Sequence, residues 1–128
     1  MSELLKGLAA SSSGMAAQST RLRLTAENLA NRDTPGYRRK LVPFQQVFDA
    51  DGSTVRAGRV TLSDAEFDRR FDPGHPLANP QGYVDGSNVN LMVELADARE
   101  AQRSYEANLH MLDQSRRMIA ATLELLRR

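Results

Sequence analysis

The sequence predicts an α+β protein in which long N- and C-terminal helices pack as an antiparallel coiled-coil pair, with a small irregular β insertion between them. Apolar residues recur at heptad spacing at both ends of the chain. The middle holds all five prolines and six of the seven Phe and Tyr residues, which disfavours long helices there. These features predict three segments: an N-terminal assembly helix (1–31), a β-rich middle (32–89) and a C-terminal coiled-coil helix (90–128).

The N-terminal helix is predicted from an apolar stripe with a period of seven residues. Its members, called here the N-terminal seam, are Leu8, Met15, Leu22 and Leu29. Small residues at Ser12, Ser19 and Ala26, together with Leu5, fill the same stripe and would allow another helix to approach closely. Ser and Gly at 11–14 lower helix propensity. We therefore expect this helix to need a partner to be fully ordered.

An abrupt junction follows in the stretch LANRDTPGYRRK, residues 29–40. The helical pattern ends there, Pro35-Gly36 predicts a sharp turn, and a basic, strand-like run resumes at Tyr37. The basic residues 38–40 are interpreted as the solvated edge of a strand, where charges deter pairing with other chains. A phosphate-binding patch and a salt contact between subunits are the alternatives.

The middle segment reads as short strands separated by turns. Residues 37–48 predict a strand interrupted at Pro43, Asp51-Gly52 predicts a turn, and residues 54–62 contain the alternation of a second strand. Tyr83-Val84 precedes another turn signal. Candidates for a small core here are the four phenylalanines, Phe44, Phe48, Phe67 and Phe71.

The C-terminal helix carries the stronger pattern, without Pro or Gly from Leu91 onward. Steps of four and three give the C-terminal seam: Leu91, Leu95, Ala98, Gln102, Tyr105, Leu109, Leu112, Arg116, Ile119, Leu123 and Leu126. Such alternation over five heptads is typical of a coiled coil, and its polar exceptions, Gln102 and Arg116, would fix register or face a further partner. Asn88 or Asn90 is expected to cap the helix. Because the middle is too small to bury both seams, we expect the two terminal helices to pack together and to leave apolar surface for other chains.

Composition excludes several classes of function. The 128 residues carry 17 Lys and Arg against 16 Asp and Glu, a net charge of +1, so no global argument favours nucleic acid. The absence of cysteine excludes thiol catalysis, disulfides and zinc–thiolate sites. No apolar run approaches the ~20 residues of a membrane span, and the first residues lack the basic and apolar regions of a cleaved signal peptide.

Only Asp72, His75 and Asp85 suggest a metal or acid–base cluster, and an Asp that stabilises a Pro-Gly turn is the preferred interpretation. His110, beside Leu109, is interpreted as packing or solvent-facing. We predict no catalytic, cofactor-binding or metal-binding residue, and no enzymatic activity.

Both ends of the chain resemble one known superfamily. The run SSSGMAAQSTRLRLTAENLANRDTPGYRRK is similar to the N-terminal signature of bacterial flagellar axial proteins, which include rod, hook and hook-associated proteins. The run SNVNLMVELADAREAQRSYEANLHMLDQSRRM is similar to the matching C-terminal signature. The short middle, with DPGHP at 72–76 and Gly82-Tyr83-Val84, resembles the proximal-rod family most closely. The residues of the N-terminal signature near its end, called the junction motif, are Asn28, Asn31, Thr34, Pro35, Gly36 and Tyr37.

The resemblance implies a structural subunit of the flagellar basal-body rod that is exported through the flagellar type III apparatus without a cleaved signal. It implies a periplasmic location, a role in motility, and partners among other rod subunits, copies of the chain and the export apparatus, with no cofactor, nucleic acid or membrane insertion. The predicted assembly interface comprises Leu8, Met15, Leu22, Leu29, Leu91, Leu95, Tyr105, Leu109, Leu112, Ile119 and Leu123. The compact junction after Asn31 leaves another rod subunit of the superfamily as an alternative. A coiled-coil adaptor that dimerises through the C-terminal helix is the alternative from a different class.

Overall fold

Two long helices dominate the computed structural model, which describes residues 2–50 and 52–128. Helix α1 spans Ser2–Ala30 and helix α2 spans Leu91–Arg127. Asn90 is the N-cap of α2: its Oδ1 accepts hydrogen bonds from the backbone N–H of Met92 at 2.9 Å and of Val93 at 3.3 Å. Of the two predicted cap residues, Asn88 and Asn90, it is therefore Asn90 that caps α2.

The helices pack side by side and antiparallel. Gly14 of α1 lies against Asn108 of α2, and at the other end Asn28 contacts Glu94. The side chains buried between them are small or medium in size: Ala17, Leu24 and Ala101. The predicted α+β fold with an antiparallel helix pair is confirmed.

The face of α1 that meets α2 is not the predicted stripe. Gly14, Ala17, Leu24 and Asn28, at steps of three, seven and four, form this face. The four members of the N-terminal seam are only half-buried, and Leu5, Ser12, Ser19 and Ala26 are exposed. Small residues make most of this contact, together with the buried Leu24, because they let two helix backbones approach closely. The larger residues of the N-terminal seam remain at its edges.

The middle segment forms three separate two-stranded antiparallel sheets. Their strands are β1 (Lys40–Leu41), β2 (Phe44–Asp49), β3 (Gly52–Ala57), β4 (Thr61–Leu62), β5 (Arg69–Phe71) and β6 (Tyr83–Asp85). β1 pairs with β4, β2 with β3, and β5 with β6. Pro43 separates β1 from β2, as the sequence predicts, because it has no N–H to donate to a ladder. Of the predicted Asp51-Gly52 turn, Asp51 lies outside the described residues.

The predicted aromatic core of the middle segment is wrong. Phe48 is 74% exposed and Phe71 63% exposed, while Phe67 is half-buried beneath the guanidinium of Arg38, 4.5 Å from the ring centre. Two-stranded sheets without a second layer cannot enclose a large ring. Among the described residues of the strands, only Val84 is buried.

The β2–β3 hairpin lies on α1 rather than forming an independent unit. The backbone N–H of Val55 donates to the hydroxyl of Ser13 at 3.1 Å, and Gly52 packs beside the side chain of Lys6. β3 is mostly half-buried against the helix, whereas β2 is mostly exposed. The serine-rich part of α1 thus receives a partner within the chain.

The Asp72–His75 region is a turn, as the preferred interpretation predicts. The N–H of His75 donates to the carbonyl of Asp72 at 3.1 Å, and Nδ1 of His75 accepts from the N–H of Leu77 at 3.0 Å. Asp85 is paired with Arg69 instead of with either residue. The three side chains therefore do not converge on one point.

Candidate functional site: the helix junction and the exposed helix faces

The chain reverses direction after α1 through a tight turn at Pro35-Gly36. The N–H of Tyr37 donates to the carbonyl of Thr34 at 3.2 Å, and Gly36 has φ +73°. Pro at the second turn position and a positive φ at the third are typical of a type II turn. Thr34 Oγ1 also donates to Asn31 Oδ1 at 3.1 Å, so the sharp turn predicted from the sequence is present and braced.

Asn28 fastens the chain to α1 after that turn. Its Nδ2 donates to the carbonyl of Lys40 at 3.0 Å, and its Oδ1 accepts from the N–H of the same residue at 2.9 Å. The same Oδ1 accepts from the hydroxyl of Tyr37 at 2.9 Å. The Asn28 side chain is almost fully buried and acts as a substitute strand partner for β1.

A buried carboxylate completes this arrangement from α2. The side chain of Glu94 is 1% exposed, with Oε1 bonded to Nε of Arg39 and Oε2 to Nδ2 of Asn28 at 3.3 Å. Asp97 accepts from Nη2 of Arg39 and, at 3.2 Å, from Nη2 of Arg21. Two carboxylates thus face two guanidiniums, which is the pairing that a buried charge requires. We call Asn28, Tyr37, Arg39, Glu94 and Asp97 the junction cluster.

The interpretation of residues 38–40 as a solvated strand edge is wrong. Arg39 is only 20% exposed and belongs to the junction cluster, and Lys40 forms an ion pair with Glu27 of α1. Arg38 covers the Phe67 ring and donates to the carbonyl of Ser63 at 3.0 Å. All three cations are used within the chain. Helices α1 and α2 place acidic residues opposite Lys40 and Arg39, whereas Arg38 is held by an aromatic ring and a backbone carbonyl.

The segment before α2 holds the other side of the junction. The backbone N–H of Arg39 donates to Oδ1 of Asn88, whose Nδ2 donates to the carbonyls of Ser63 and Ala65, both at 3.1 Å. Ser87 Oγ donates to the carbonyl of Arg32. The strand that leaves the turn is therefore fixed by α1, by the β4 region and by the approach to α2 together.

Two titrating groups at the junction are perturbed by this packing. Burial raises the pKa of the Tyr37 hydroxyl, and the carboxylates of Glu27 and Glu94 act in the same direction while the Lys40 cation opposes them. The hydrogen bond to Glu27 raises the pKa of the Lys40 ammonium. Both groups hold their protons more firmly in the folded chain than in an unfolded one.

The junction motif and the predicted assembly interface lie in different environments. In the motif, Asn28 is buried, Asn31 and Tyr37 are half-buried, and Thr34, Pro35 and Gly36 are exposed. Half-buried members of the interface are Leu8, Met15, Leu22, Leu29, Tyr105, Leu112 and Ile119, and exposed members are Leu91, Leu95, Leu109 and Leu123. The structure brings Asn28 and Tyr37 into contact but does not gather the interface residues into one site.

Part of the C-terminal seam lies off the contact between the helices. The α2 residues that meet α1 include Glu94, Ala101 and Asn108. Leu95 and Leu109 directly follow Glu94 and Asn108 in the sequence and therefore lie to one side of that face. They are 39% and 44% exposed, and Leu123 is 49% exposed. These three residues, called here the exposed leucine row, alternate at steps of seven with the exposed Gln102 and Arg116. Exposed leucines spaced along a long helix are suited to contact with another helix.

The described residues offer no group of His, Asp or Glu side chains arranged to hold a metal ion. Within the same residues, neither helix is long and apolar enough to cross a membrane. The clefts beside the junction are lined by the paired charges and strand residues already described.

The comparisons with known proteins cover both helices and most of the chain. The family described as "Flagella basal body rod protein" matches residues 8–38, and the one described as "Flagellar basal body rod FlgEFG protein C-terminal" matches residues 81–125. Proteins named flagellar basal-body rod protein FlgC are similar over most of their length. The protein of Agrobacterium fabrum is 43% identical over 124 residues, covering 90% of this chain and 89% of the relative.

Relatives of lower sequence identity show the same likeness. The FlgC of Salmonella typhimurium is 39% identical over 122 residues, covering 88% of this chain and 90% of the relative. That of Bacillus subtilis is 31% identical over 139 residues, covering 90% and 93%. The two family models cover Asn28 and Tyr37 of the junction cluster near one end of the chain and Glu94 and Asp97 near the other. This chain therefore belongs to the FlgC family of flagellar basal-body rod proteins.

Proposed function

We propose that the chain is a structural subunit of the bacterial flagellar basal-body rod, in its proximal part, and that it polymerises through its terminal helices. The observation that carries this proposal is the exposed leucine row of α2, represented by Leu95, Leu109 and Leu123. Within one chain, α1 covers a different face of α2, so a neighbouring helix is needed to remove these leucines from water.

The partners in this proposal are other rod subunits and copies of the chain. The predicted assembly interface supplies the contacts, with the N-terminal seam half-buried at the edges of the helix pair and the α2 leucines free. The division into an assembly helix at 1–31, a β-rich brace at 32–89 and a coiled-coil helix at 90–128 belongs to the same proposal. The helices would form the inner wall of the rod and the strands would brace it.

The junction cluster supports the mechanical part of the proposal. A rod that transmits torque across the periplasm loads each subunit in shear, and buried charge-assisted hydrogen bonds are directional contacts that resist such displacement. The role is structural and not enzymatic. Delivery by the flagellar export apparatus completes the proposal.

A charge placed in the exposed leucine row tests it. Leu109→Asp should abolish rod assembly and swimming while leaving expression of the chain intact, because a carboxylate cannot be buried in an apolar helix contact. Met111→Asp is the matched control: Met111 is 56% exposed against 44% for Leu109, lies on the same helix, and is outside the C-terminal seam. Rod content is measured in purified basal bodies and swimming in soft agar. Normal motility of Leu109→Asp, or equal loss in both variants, would count against the proposal.

A further inference from the structure

The α1–α2 contact is poor in features that define how far one helix slides along the other. Ser11, Gly14, Ala17 and Ala101 make shallow ridges, and Leu24 is the single large apolar side chain buried in this contact within the described residues. Ridges-into-grooves packing discriminates between registers through differences in side-chain size. A seam of small residues therefore tolerates a shift by one heptad more readily than a seam of interlocking leucines.

The junction cluster does distinguish registers. Glu94 is buried between the helices, and its two carboxylate oxygens accept hydrogen bonds from Asn28 of α1 and from Arg39. Arg39 is itself held beside α1, because Asn28 binds the backbone of the next residue, Lys40. Sliding α2 by seven residues would bring a side chain other than Glu94 opposite Asn28. In one direction Glu94 would pass beyond the end of α1 at Ala30, and in the other it would lie opposite Arg21. Either shift would separate Asn28 and Arg39 from the carboxylate that they hold.

The cost of that mismatch decides the register. Leaving a buried charge without its partner is strongly destabilising, and small-residue packing recovers little of that loss. A single polar side chain in a helix seam is the best-attested way to fix alignment at some cost in stability. In the shift that brings Glu94 opposite Arg21, the carboxylate would regain a cation, but Arg39 would lose Glu94 and Asp97, and Arg21 would lose its alignment with Asp97 and Glu100.

We propose that Glu94, held by Asn28 and Arg39, is the positioning residue that sets the register between α1 and α2. The register determines which part of α2 remains beyond α1, with Leu123, Leu125 and Leu126 exposed there. The meaning of this for assembly rests on the proposed function. The register itself is a property of the single chain and is measured without rods.

Cysteine pairs report the register directly, because the chain has no cysteine of its own. A Cβ built on Gly14 lies 3.1 Å from Cγ of Asn108, so Gly14→Cys with Asn108→Cys places two sulfurs within reach of a disulfide. Gly14→Cys with Ala101→Cys, and Gly14→Cys with Ser115→Cys, report shifts of one heptad in either direction. Both shifted reporters also carry Asn108→Ala, since the added Cβ would otherwise lie 2.9 Å from Nδ2 of Asn108.

The purified full-length chain is oxidised mildly in the native background and with three replacements of Glu94. The native chain should form only the in-register bond. Glu94→Leu and Glu94→Ala should raise the yield of a shifted bond about tenfold or more, because they remove a penalty worth more than one factor of ten. Glu94→Gln keeps a buried polar group and should keep the native register. Glu94→Ala is included because the alanine side chain is too small to clash with α1.

Circular dichroism shows whether each variant retains its helices. Exclusive in-register bonding in both apolar variants overturns the proposal, as does loss of the helices in both, because the cluster would then be needed for folding and not for alignment. A native chain that lacks the in-register bond overturns it as well. None of these results depends on whether Leu109→Asp permits assembly, so failure of the register proposal and failure of the proposed function are distinguishable.

Discussion

The hydroxyl of Tyr37 donates a 2.9 Å hydrogen bond to Oδ1 of Asn28 across the turn that ends α1. The two residues are nine positions apart, and the bond closes the loop between the helix and the first strand. Because Asn28 also holds the backbone of Lys40 and the carboxylate of Glu94, one amide connects three segments of the chain. Changes at these positions should therefore affect more than local structure.

Replacing Asn28 with Asp should be strongly destabilising. The change removes the Nδ2 donor and places a second carboxylate 3.3 Å from that of Glu94, where two negative charges are buried together. We expect a loss of about 3–5 kcal/mol in the free energy of unfolding, measured by urea denaturation. Asn108→Asp is the control, because Nδ2 of Asn108 donates only to the carbonyl of Ser104 within its own helix. Similar losses in both variants would contradict this account of Asn28.

The folded chain should lose stability at alkaline pH through the junction. The pKa values of Tyr37 and Lys40 are both raised by folding. Their contribution to the free energy of unfolding is therefore complete below their unfolded pKa values of about 10 and is lost as pH rises through their folded pKa values. Tyr37→Phe should be less stable near neutral pH by about 1 kcal/mol, the worth of one hydrogen bond. Its stability should also fall less steeply above about pH 10.

The measurement is the free energy of unfolding of the native and Tyr37→Phe chains across that alkaline range. The difference between them should narrow as pH rises, because the native chain alone loses the tyrosine contribution. A constant difference would show that the hydroxyl of Tyr37 titrates alike in the folded and unfolded chains.

Two glycines with positive φ should differ in their tolerance of alanine. Gly36 has φ +73° and open space around an added Cβ, so Gly36→Ala should cost only the roughly 1–2 kcal/mol of a left-handed residue. Gly82 has φ +88°, and an added Cβ would lie 2.9 Å from Cε2 of Phe71 and 3.3 Å from Cβ of Pro73. Gly82→Ala should cost about 1 kcal/mol more.

Hydrogen exchange of the β5 and β6 amides, together with the free energy of unfolding, compares these two variants. The Phe71 ring meets that of Tyr83 edge-on at 5.3 Å, so displacing Phe71 should increase exchange in both strands. Unchanged exchange in Gly82→Ala, or a larger loss in Gly36→Ala, would refute the steric explanation.

The sequence predicted the helices because their signals are local. The uninterrupted heptads from Leu91, the Pro35-Gly36 break and the Asn90 cap each depend on neighbours within a few residues. Pairing of the helices followed from the shortage of other apolar surface. These predictions required no knowledge of which side chains meet across the fold.

The junction cluster could not be predicted in this way, because Asn28 and Glu94 are 66 residues apart and polar residues give no apolar period. The face of α1 that packs on α2 was not predicted either. The leucine spacing indicated the N-terminal seam, whereas mainly small residues of α1 contact α2. A usable signal was present in the Glu94, Ala101 and Asn108 positions at steps of seven, which could be matched with Gly14, Ala17 and Asn28. The four phenylalanines were predicted to be buried from their apolar character alone, and that character does not decide burial where the strands have no second layer to cover them.

The unequal lengths of the two helices give the molecule a direction. The contacts of Gly14 with Asn108 and of Asn28 with Glu94 place residue 2 about opposite residue 120 of α2. Within the described residues the final turns of α2 therefore extend beyond α1, and the other end of the helix pair is closed by the braced turn. One end of the molecule is an apolar stretch of single helix, and the other is a set of polar loops. Copies joined head to tail along such an axis form a filament whose two tips differ chemically, and growth at one tip need not resemble growth at the other.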